Sequence, residues 1–383
     1  MSTRIDIITR ADLSALAIAA EFDPATYPVV PIEPRRAAAQ SRNPVAAKDD
    51  PTLLVAYKDG RCVGYLGLLP QLLMSQQVTI KALAFSALYL DPALRGSGLA
   101  KRLLETARES GFPLLTIGNS RAAQAFFSKN GMQPLAPYRI VQLRLGPGAA
   151  IANQYERSLR LLRRIGAHQL QPALRRLKQL SLASVSPLRK LRNNHARSAL
   201  ASATDMLLIG VPAFRVGVKT AIDERRLRVH WDADTLNWML ACPWIETQTS
   251  PSSAAASRYH FNASDPGFRH AACELIDAGG QLAGFAAFTV HHHHAQKVVS
   301  LLQYASPDPA GLALILRHAI ELARESNADI VRCGEEWLAL LQVAGLGKYL
   351  LVSQRQSFVD APMHAGAFAN YSESFADGDI AFY

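Results

Sequence analysis

One stretch, from Phe85 to Ala107, most constrains what this chain can fold into. It begins as an apolar strand, leaves that strand at Asp91-Pro92, and passes through an Arg- and Gly-rich loop into leucines at helical spacing. The loop, Arg95-Gly96-Ser97-Gly98-Leu99-Ala100, falls where the helix should begin. Glycines let backbone N–H groups close around an oxygen-rich group, the helix N-terminus adds unpaired donors, and arginine adds a permanent cation. The stretch therefore predicts a pyrophosphate-binding cradle.

The flanking segments extend this pattern. Upstream, Leu53 to Leu69 reads as two strands joined by a turn at Asp59-Gly60, and Val78 to Phe85 supplies a further strand. Downstream, Leu114 to Met132 reads as a strand, a turn and a helix that ends at glycine. A Gly-rich loop alone is weak evidence, but a loop in this order of elements is much more specific.

With Arg95, Gly98 and Ala100, the loop resembles the acyl-CoA-binding motif of the GNAT superfamily of N-acyltransferases, which is Arg or Gln, two residues, Gly, one residue, then Gly or Ala. The segment up to Gly131-Met132 resembles the second signature of that superfamily, and the resemblance covers about residues 3–146. It implies an acyl-CoA co-substrate, acetyl-CoA above all, held partly by the backbone of the strand before the loop. The cofactor-binding residues that it implies are Leu88, Tyr89, Leu90, Arg95, Gly96, Ser97, Gly98, Leu99, Ala100, Asn119 and Phe127.

The same resemblance leaves the catalytic acid unidentified. The family places a Tyr four residues before the second-signature Gly, but this chain has Phe127 there, and a phenyl ring has no proton to give. A carboxylate often found on the motif strand is also missing. The nearest polar substitutes are Tyr89, Ser86, Asn119 and Ser120. Each of them also has a structural interpretation, either packing within a strand or capping a helix.

The second half of the chain repeats the order of elements in the first. Cys273 to Val290 resembles the first strand pair, with Gly284 where Gly64 stood, and Ser300 to Asp329 resembles the motif strand and helix. The second loop, Ser306 to Gly311, has no Arg. Its prolines remove N–H donors and Asp308 competes with a phosphate for the helix dipole, so we expect a pyrophosphate to bind there poorly.

These observations predict an α+β or α/β fold with two GNAT-like domains, each a mixed, mostly antiparallel central sheet flanked by helices. The expected domains are an acyl-CoA-binding domain at 1–147, a basic helical connector at 148–202 and a degenerate copy at 203–383. The chain has a formal net charge of +10, and residues 151–200 carry all of that excess, with eleven Lys and Arg and a single acid, Glu156. Three interpretations stay open: a solvated connector, a contact with anionic membrane, and binding of an acidic substrate or nucleic acid.

The composition and the short motifs also bear on membrane segments, metal sites and local turns. No run of eighteen apolar residues predicts a transmembrane helix, and the N-terminus lacks a signal-peptide core. The four cysteines have no metal-site spacing, so we expect reduced thiols in a cytoplasmic protein and no metal. His291 to His294 predicts a turn between strands, Asp377-Gly378-Asp379 predicts an exposed turn, and the loop from Pro28 to Pro51 is interpreted as a lid or specificity loop.

The leading functional hypothesis is an acyl-CoA-dependent N-acyltransferase that transfers acetyl from acetyl-CoA to a small-molecule or peptide amine. No nucleic-acid partner is expected, because the chain is neutral outside the basic segment. The alternatives are a non-catalytic acyl-CoA-binding or scaffold protein, an aminoacyl or long-chain acyl transferase of tandem type, and a protein that contacts membranes through residues 151–200. The sequence does not identify the acceptor or the acyl chain length.

Overall fold

The computed structural model describes residues 3–18, 23–145, 205–220, 225–247, 258–261, 263–293, 296–378 and 382. The chain divides into two compact units. Unit 1 contains Met1–Tyr138, Ala213–Phe268 and Arg355–Tyr383, and unit 2 contains Arg139–Pro212 and Arg269–Gln354. Neither unit is continuous in sequence, in contrast to the predicted domains. The predicted connector at 148–202 and its basic helices lie within 146–204, outside the described residues.

The strands and helices follow the order expected from the hydrophobic pattern. The strands are β1 (Thr3–Thr9), β2 (Pro51–Lys58), β3 (Arg61–Met74), β4 (Thr79–Leu90), β5 (Leu114–Thr116), β6 (Gln133–Pro134), β7 (Tyr138–Arg144), β8 (Leu207–Gly210), β9 (Arg228–Val229), β10 (Arg269–Ile276), β11 (Leu282–His293), β12 (Gln296–Ala305), β13 (Ile330–Gly334), β14 (Leu350–Arg355) and β15 (Phe358–Asp360). The described α-helices are α1 (Arg10–Ile18), α2 (Pro34–Gln40), α3 (Leu99–Glu109), α4 (Arg121–Lys129), α5 (Ala233–Ala241), α6 (Pro309–Glu325), α7 (Leu338–Val343) and α8 (Ala365–Phe368).

Unit 1 is built on a sheet with the order β1-β2-β3-β4-β5-β15-β6, and β9 pairs with β3. Its pairings are antiparallel except for β4 and β5, which are parallel and joined by the crossover helix α3. Helix α3 buries Leu99, Leu103, Leu104 and Ala107 at helical spacing against one face of the sheet. The opposite face packs against α1 and α2 and carries Tyr65 and Tyr259. The sheet is therefore covered on both faces.

Unit 2 repeats this arrangement with the sheet order β14-β7-β13-β12-β11-β10-β8. Strands β10, β11 and β12 are antiparallel neighbours, and β12 is parallel to β13 across the crossover helix α6. Residues of α6 pack with one face of this sheet in a single apolar cluster that includes Phe288, Leu316 and Val331. The predicted fold class, two mixed and mostly antiparallel sheets flanked by helices, is confirmed.

Two short strands explain why the units are discontinuous. Strand β7 follows β6 in the chain but lies in the unit 2 sheet, between β14 and β13. Strand β15 follows β14 but lies in the unit 1 sheet, between β5 and β6. Each therefore completes the sheet formed by the other half of the sequence, at the corresponding position, and its backbone hydrogen bonds assign it to that unit.

The structure changes two of the local interpretations. Strand β11 continues through His293, and His291 is buried with its Nδ1 atom 3.3 Å from Thr289 Oγ1, so these residues belong to a strand and not to a turn. The predicted exposed turn at Asp377 is also wrong. Asp377 is 0% exposed. Its buried carboxylate accepts hydrogen bonds from Tyr371 Oη at 2.7 Å and from the Ser374 backbone N–H at 2.8 Å. Asp379 lies outside the described residues.

The described residues were also compared with the expectations about membrane-spanning helices, metal sites and cysteine thiols. Among the described helices, none is both long and apolar enough to cross a membrane. The described residues contain no group of three or more His, Cys, Asp or Glu side chains that could hold a metal ion. All four cysteines are buried free thiols, and burial raises the pKa of both Cys62 and Cys273 to about 12.

Candidate functional site

The loop from β4 to α3 ends in a glycine-containing turn, which we call the cradle (residues 95–100). A single 3₁₀ turn over Pro92–Leu94 precedes it, and Asp91 caps that turn by accepting a hydrogen bond from the Ala93 N–H at 2.9 Å. Gly96 and Gly98 follow with φ angles of 83° and 84°. These left-handed conformations favour glycine, and an added Cβ at either position would meet nothing within 4 Å. The two glycines thus allow the backbone to adopt left-handed φ angles, and the space next to them is open.

The cradle presents hydrogen-bond donors and positive charge. Helix α3 starts at Leu99 with Gly98 as its N-cap, so no side chain caps it. Within the described part of the chain, the backbone N–H groups of Gly96, Gly98, Leu99 and Ala100 have no hydrogen-bond partner. Arg95 is exposed and pairs with no acid among those same residues. Open amides, a helix N-terminus and one free guanidinium together favour an anion with several oxygens, such as a pyrophosphate.

Strand β4 carries a β-bulge just before the cradle. Gly67 of β3 lies opposite Ala87, while the next residue of β3 lies opposite Phe85, so Ser86 is the extra residue. The parallel pairing of β4 with β5 ends at Phe85. Beyond the bulge, residues 87–90 pair with β3 on one side only, among the described strands. Their other edge leaves backbone groups without a strand partner among the described residues, and the predicted cofactor-binding residues Leu88, Tyr89 and Leu90 lie on this stretch.

An aromatic cluster lies on the face of the sheet that packs against α1 and α2. The Tyr89 ring stacks on Tyr65 with 5.5 Å between the centroids, and Tyr65 stacks on Tyr259 at 5.9 Å. The ring of His260, an exposed residue, lies 4.9 Å from the Tyr89 ring. Burial, and secondarily the negative charge of Asp91, raises the pKa of Tyr89, so its hydroxyl stays protonated at neutral pH.

A buried arginine joins this cluster to the bulge. Arg36, on α2, is 2% exposed and donates from Nη1 to Tyr259 Oη at 2.7 Å and from Nη2 to the Ser86 carbonyl at 3.0 Å. Its guanidinium also lies 3.9 Å from the ring centroid of Trp244. The segment interpreted as a lid thus contains a helix whose arginine fixes the backbone at the bulge. An arginine next to three alanines gave no sequence signal for this role.

Asn119, Ser120 and Phe127, which the sequence also predicted as site residues, each make contacts that support the fold. Asn119 donates from Nδ2 to Thr116 Oγ1 at 2.6 Å and to the Gln356 carbonyl at 3.2 Å, which ties the exit of β5 to the segment before β15. Ser120 caps α4 by accepting from the Ala123 N–H at 3.3 Å. The Phe127 ring is 2% exposed and lies in the apolar core.

Ser86 differs from these residues because its hydroxyl has no assigned partner. The Ser86 side chain is buried, and its Oγ makes no hydrogen bond with any described residue. A Cβ on Gly67 would lie 2.6 Å from that oxygen, so the glycine makes the room that the hydroxyl occupies. A buried hydroxyl without a partner is costly, which makes this oxygen a candidate contact for a ligand at the bulge.

Comparison with known proteins finds one family that part of the chain resembles. Residues 49–134 match the acetyltransferase (GNAT) domain family. No curated protein matches the sequence significantly. The fold is similar to a GCN5-related N-acetyltransferase from Anabaena variabilis ATCC 29413, at 9% identity and a TM-score of 0.51, over 94% of this chain and 72% of that one.

Two other solved structures align over the same share of this chain. A protein from Enterococcus faecalis V583, described as a probable N-acyltransferase, has 7% identity and a TM-score of 0.50, with 72% of its chain covered. The N-myristoyltransferase of Saccharomyces cerevisiae with bound myristoyl-CoA has 12% identity and a TM-score of 0.47, with 82% covered. The matched domain spans β2 to β6 and includes the bulge and the cradle. Residues 49–134 are therefore similar to the acetyltransferase (GNAT) domain family, and the fold of the chain resembles that of a GCN5-related N-acetyltransferase.

Proposed function

We propose that this protein is an acyl-CoA-dependent N-acyltransferase that transfers acetyl from acetyl-CoA to an amine, and that unit 1 binds the CoA. The cradle carries this proposal, because it offers four open N–H groups and the Arg95 guanidinium to the pyrophosphate. The open edge of β4 supports it, because the amides of pantetheine pair with extended backbone. Pantetheine that runs along residues 87–90 from the cradle brings the thioester towards the bulge at Ser86.

The reaction needs a neutral amine, a thioester carbonyl held at attack distance, donors for its oxygen, and a proton for the departing sulfur. We expect the unpaired backbone beyond Ser86 and the Ser86 hydroxyl to hold the carbonyl. Phe127 stays an unsuitable acid, because its ring is packed in the core. The aromatic face beside Tyr89 is the proposed acceptor side.

Calorimetric titration of the full-length protein with CoA and acetyl-CoA tests the binding step. We expect saturable binding to one site, and we expect Arg95→Glu to weaken it about 100-fold, since a charge-assisted hydrogen bond is replaced by a repulsion. Arg61→Glu is the matched control, because Arg61 is also an exposed arginine of unit 1 but lies outside the cradle. A wild-type protein that binds neither ligand would refute the proposal.

Release of free CoA thiol across a panel of small-molecule and peptide amines tests the transfer step. We expect release from acetyl-CoA that depends on both the amine and Arg95. A parallel series with a long-chain acyl-CoA separates acetyl transfer from long-chain transfer. CoA binding without thiol release in either series would favour a non-catalytic acyl-CoA-binding protein.

A further inference from the structure

Resting on the function proposed above, the geometry points to His260 as the general base and Tyr89 as the general acid of the transfer. Tyr89 lies on β4 three residues past the bulge, on the strand whose free edge faces the proposed pantetheine path. Its ring is 4.9 Å from that of His260. Tyr89 is partly buried and His260 is exposed, so the pair extends from the sheet to the solvent side where an acceptor amine enters.

His260 is held in place although it lies in a loop. Its neighbour Tyr259 is buried, accepts the 2.7 Å hydrogen bond from Arg36, and forms a parallel bridge with Val30. On the other side of Tyr259, Arg258 donates from Nη1 to the Tyr27 carbonyl at 2.6 Å. Because Arg36 also binds the Ser86 carbonyl, one guanidinium connects the bulge to the backbone that carries His260. Such support lets a loop residue keep a catalytic geometry.

The two side chains have complementary acid–base properties. A neutral imidazole has one unprotonated ring nitrogen, which can take a proton from an amine. Burial raises the pKa of Tyr89, which keeps its hydroxyl protonated and able to donate. The Tyr65 ring stacks on the Tyr89 ring. Among charged groups, Asp91 raises the pKa of Tyr89 and Arg95 lowers it.

The proton transfers balance within this pair. The amine nitrogen forms a bond to the thioester carbonyl carbon, and the carbon–sulfur bond breaks. The proton lost by the nitrogen goes to the imidazole of His260, while the departing sulfur takes the hydroxyl proton of Tyr89. The imidazolium then returns a proton to the tyrosinate across the ring contact. The products are an amide and the CoA thiol, and both side chains regain their starting forms.

Substitution and chemical rescue test the assignment. We expect His260→Ala to lower kcat for thiol release by about 100-fold or more, with the Kd for CoA unchanged, because general bases contribute about that factor. Added imidazole should restore part of the lost rate, which a structural defect would not allow. Tyr89→Phe should lower kcat by a similar factor without rescue by imidazole. His292→Ala is the matched control, since His292 is an exposed histidine of unit 2.

The outcomes separate this inference from the function on which it rests. Wild-type turnover together with an unchanged kcat in His260→Ala overturns the role of His260 and leaves the proposed transferase activity standing. A lowered kcat that imidazole does not restore, accompanied by a lower melting temperature, assigns a structural role and also overturns it. A wild-type protein that binds no CoA and releases no thiol refutes the proposed function and the acid–base pair together.

Discussion

The entrances to helices α3 and α6 differ in chemistry although they occupy the same place in two similar sheets. Each helix follows the last strand of an antiparallel set and leads to a strand that is parallel to it. At α3 the N-cap is Gly98, and no side chain binds the first amides. At α6 the N-cap is Asp308, whose carboxylate accepts from the Gly311 N–H at 2.7 Å, while Pro309 supplies no N–H.

The preceding strands make the contrast sharper, because both of them have a bulge. In unit 1 the extra residue is Ser86, and in unit 2 a register shift leaves Leu302 without a partner on β11. The Ser86 carbonyl is bound by Arg36 and its hydroxyl has no assigned partner, whereas Leu302 is a buried apolar residue. Shared topology thus preserves the shape of the strand, while a few residues at its end decide whether the helix dipole is satisfied within the chain or left for a ligand.

The largest effect is expected from giving α3 the kind of cap that α6 has. Gly98→Asp places a carboxylate at the N-terminus of α3, where it competes with the pyrophosphate for the same amides. We expect CoA binding to weaken by about 100-fold or more, since an attraction to the helix N-terminus and Arg95 is replaced by a repulsion. Titration calorimetry with CoA measures the change.

Gly111→Asp is the matched control for this substitution. Gly111 follows the other end of α3 with φ at 76°, and an added Cβ there would also meet nothing within 4 Å. Both variants therefore carry the same backbone strain and the same added charge. Equal losses of CoA affinity in the two variants would show that strain in α3, and not competition at its N-terminus, governs binding.

A smaller effect is expected from two glycines at corresponding positions in the two sheets. A Cβ on Gly284 would lie 2.3 Å from the Ala305 carbonyl oxygen, at the end of β12. A Cβ on Gly64 would lie 2.6 Å from Leu90 Cδ2 and 2.9 Å from the Tyr89 carbonyl oxygen, at the end of β4. Each alanine forces the end of its strand to move, so we expect either one to lower the free energy of unfolding by about 1–3 kcal/mol.

The functional consequence of the two alanines should differ. Gly64→Ala displaces the free edge at Tyr89 and Leu90, so we expect CoA binding to weaken by about 2- to 10-fold, the equivalent of one hydrogen bond. Gly284→Ala should leave CoA affinity unchanged while it lowers the melting temperature. Calorimetric melting and CoA titration of both variants give the two quantities. Loss of CoA affinity in Gly284→Ala would contradict the assignment of the site to unit 1.

The parts of the site that the sequence predicts are those that are local in the chain. Arg95, Gly96 and Gly98 predict the cradle, because a left-handed φ favours glycine and the leucine spacing that follows indicates where the helix starts. Strand β4 and helix α3 are long enough for their apolar periodicity to be read. The repeat is also visible, since each half contains three long strands and a crossover helix in the same order.

What the sequence does not predict depends on contacts between distant residues. Strand β15 has only three residues, too few for a periodic pattern, and the pattern of β7 does not specify the sheet that it joins, so the exchange of these two strands leaves no signal. The hydrogen bonds of Arg36 to Tyr259 and Ser86, like the contact of Tyr89 with His260, join segments far apart in the chain. The turn composition around Asp377 likewise does not reveal its burial, because the adjacent Gly378 carbonyl accepts a hydrogen bond from Gln71, which is far away in the chain.

The smallest effect is expected at the capped helix. Asp308→Ala removes the carboxylate that binds the Gly311 N–H, and loss of an N-cap costs about 0.5–2 kcal/mol of stability. We expect a lower melting temperature, an unchanged Kd for CoA and a stoichiometry that stays at one. Pro309 still lacks an N–H and no arginine stands in the loop from Ser306 to Gly311, so uncapping alone does not recreate the donor set of the cradle. A second CoA site in Asp308→Ala would show instead that the aspartate alone keeps unit 2 from binding CoA, and that the two units differ by a single cap.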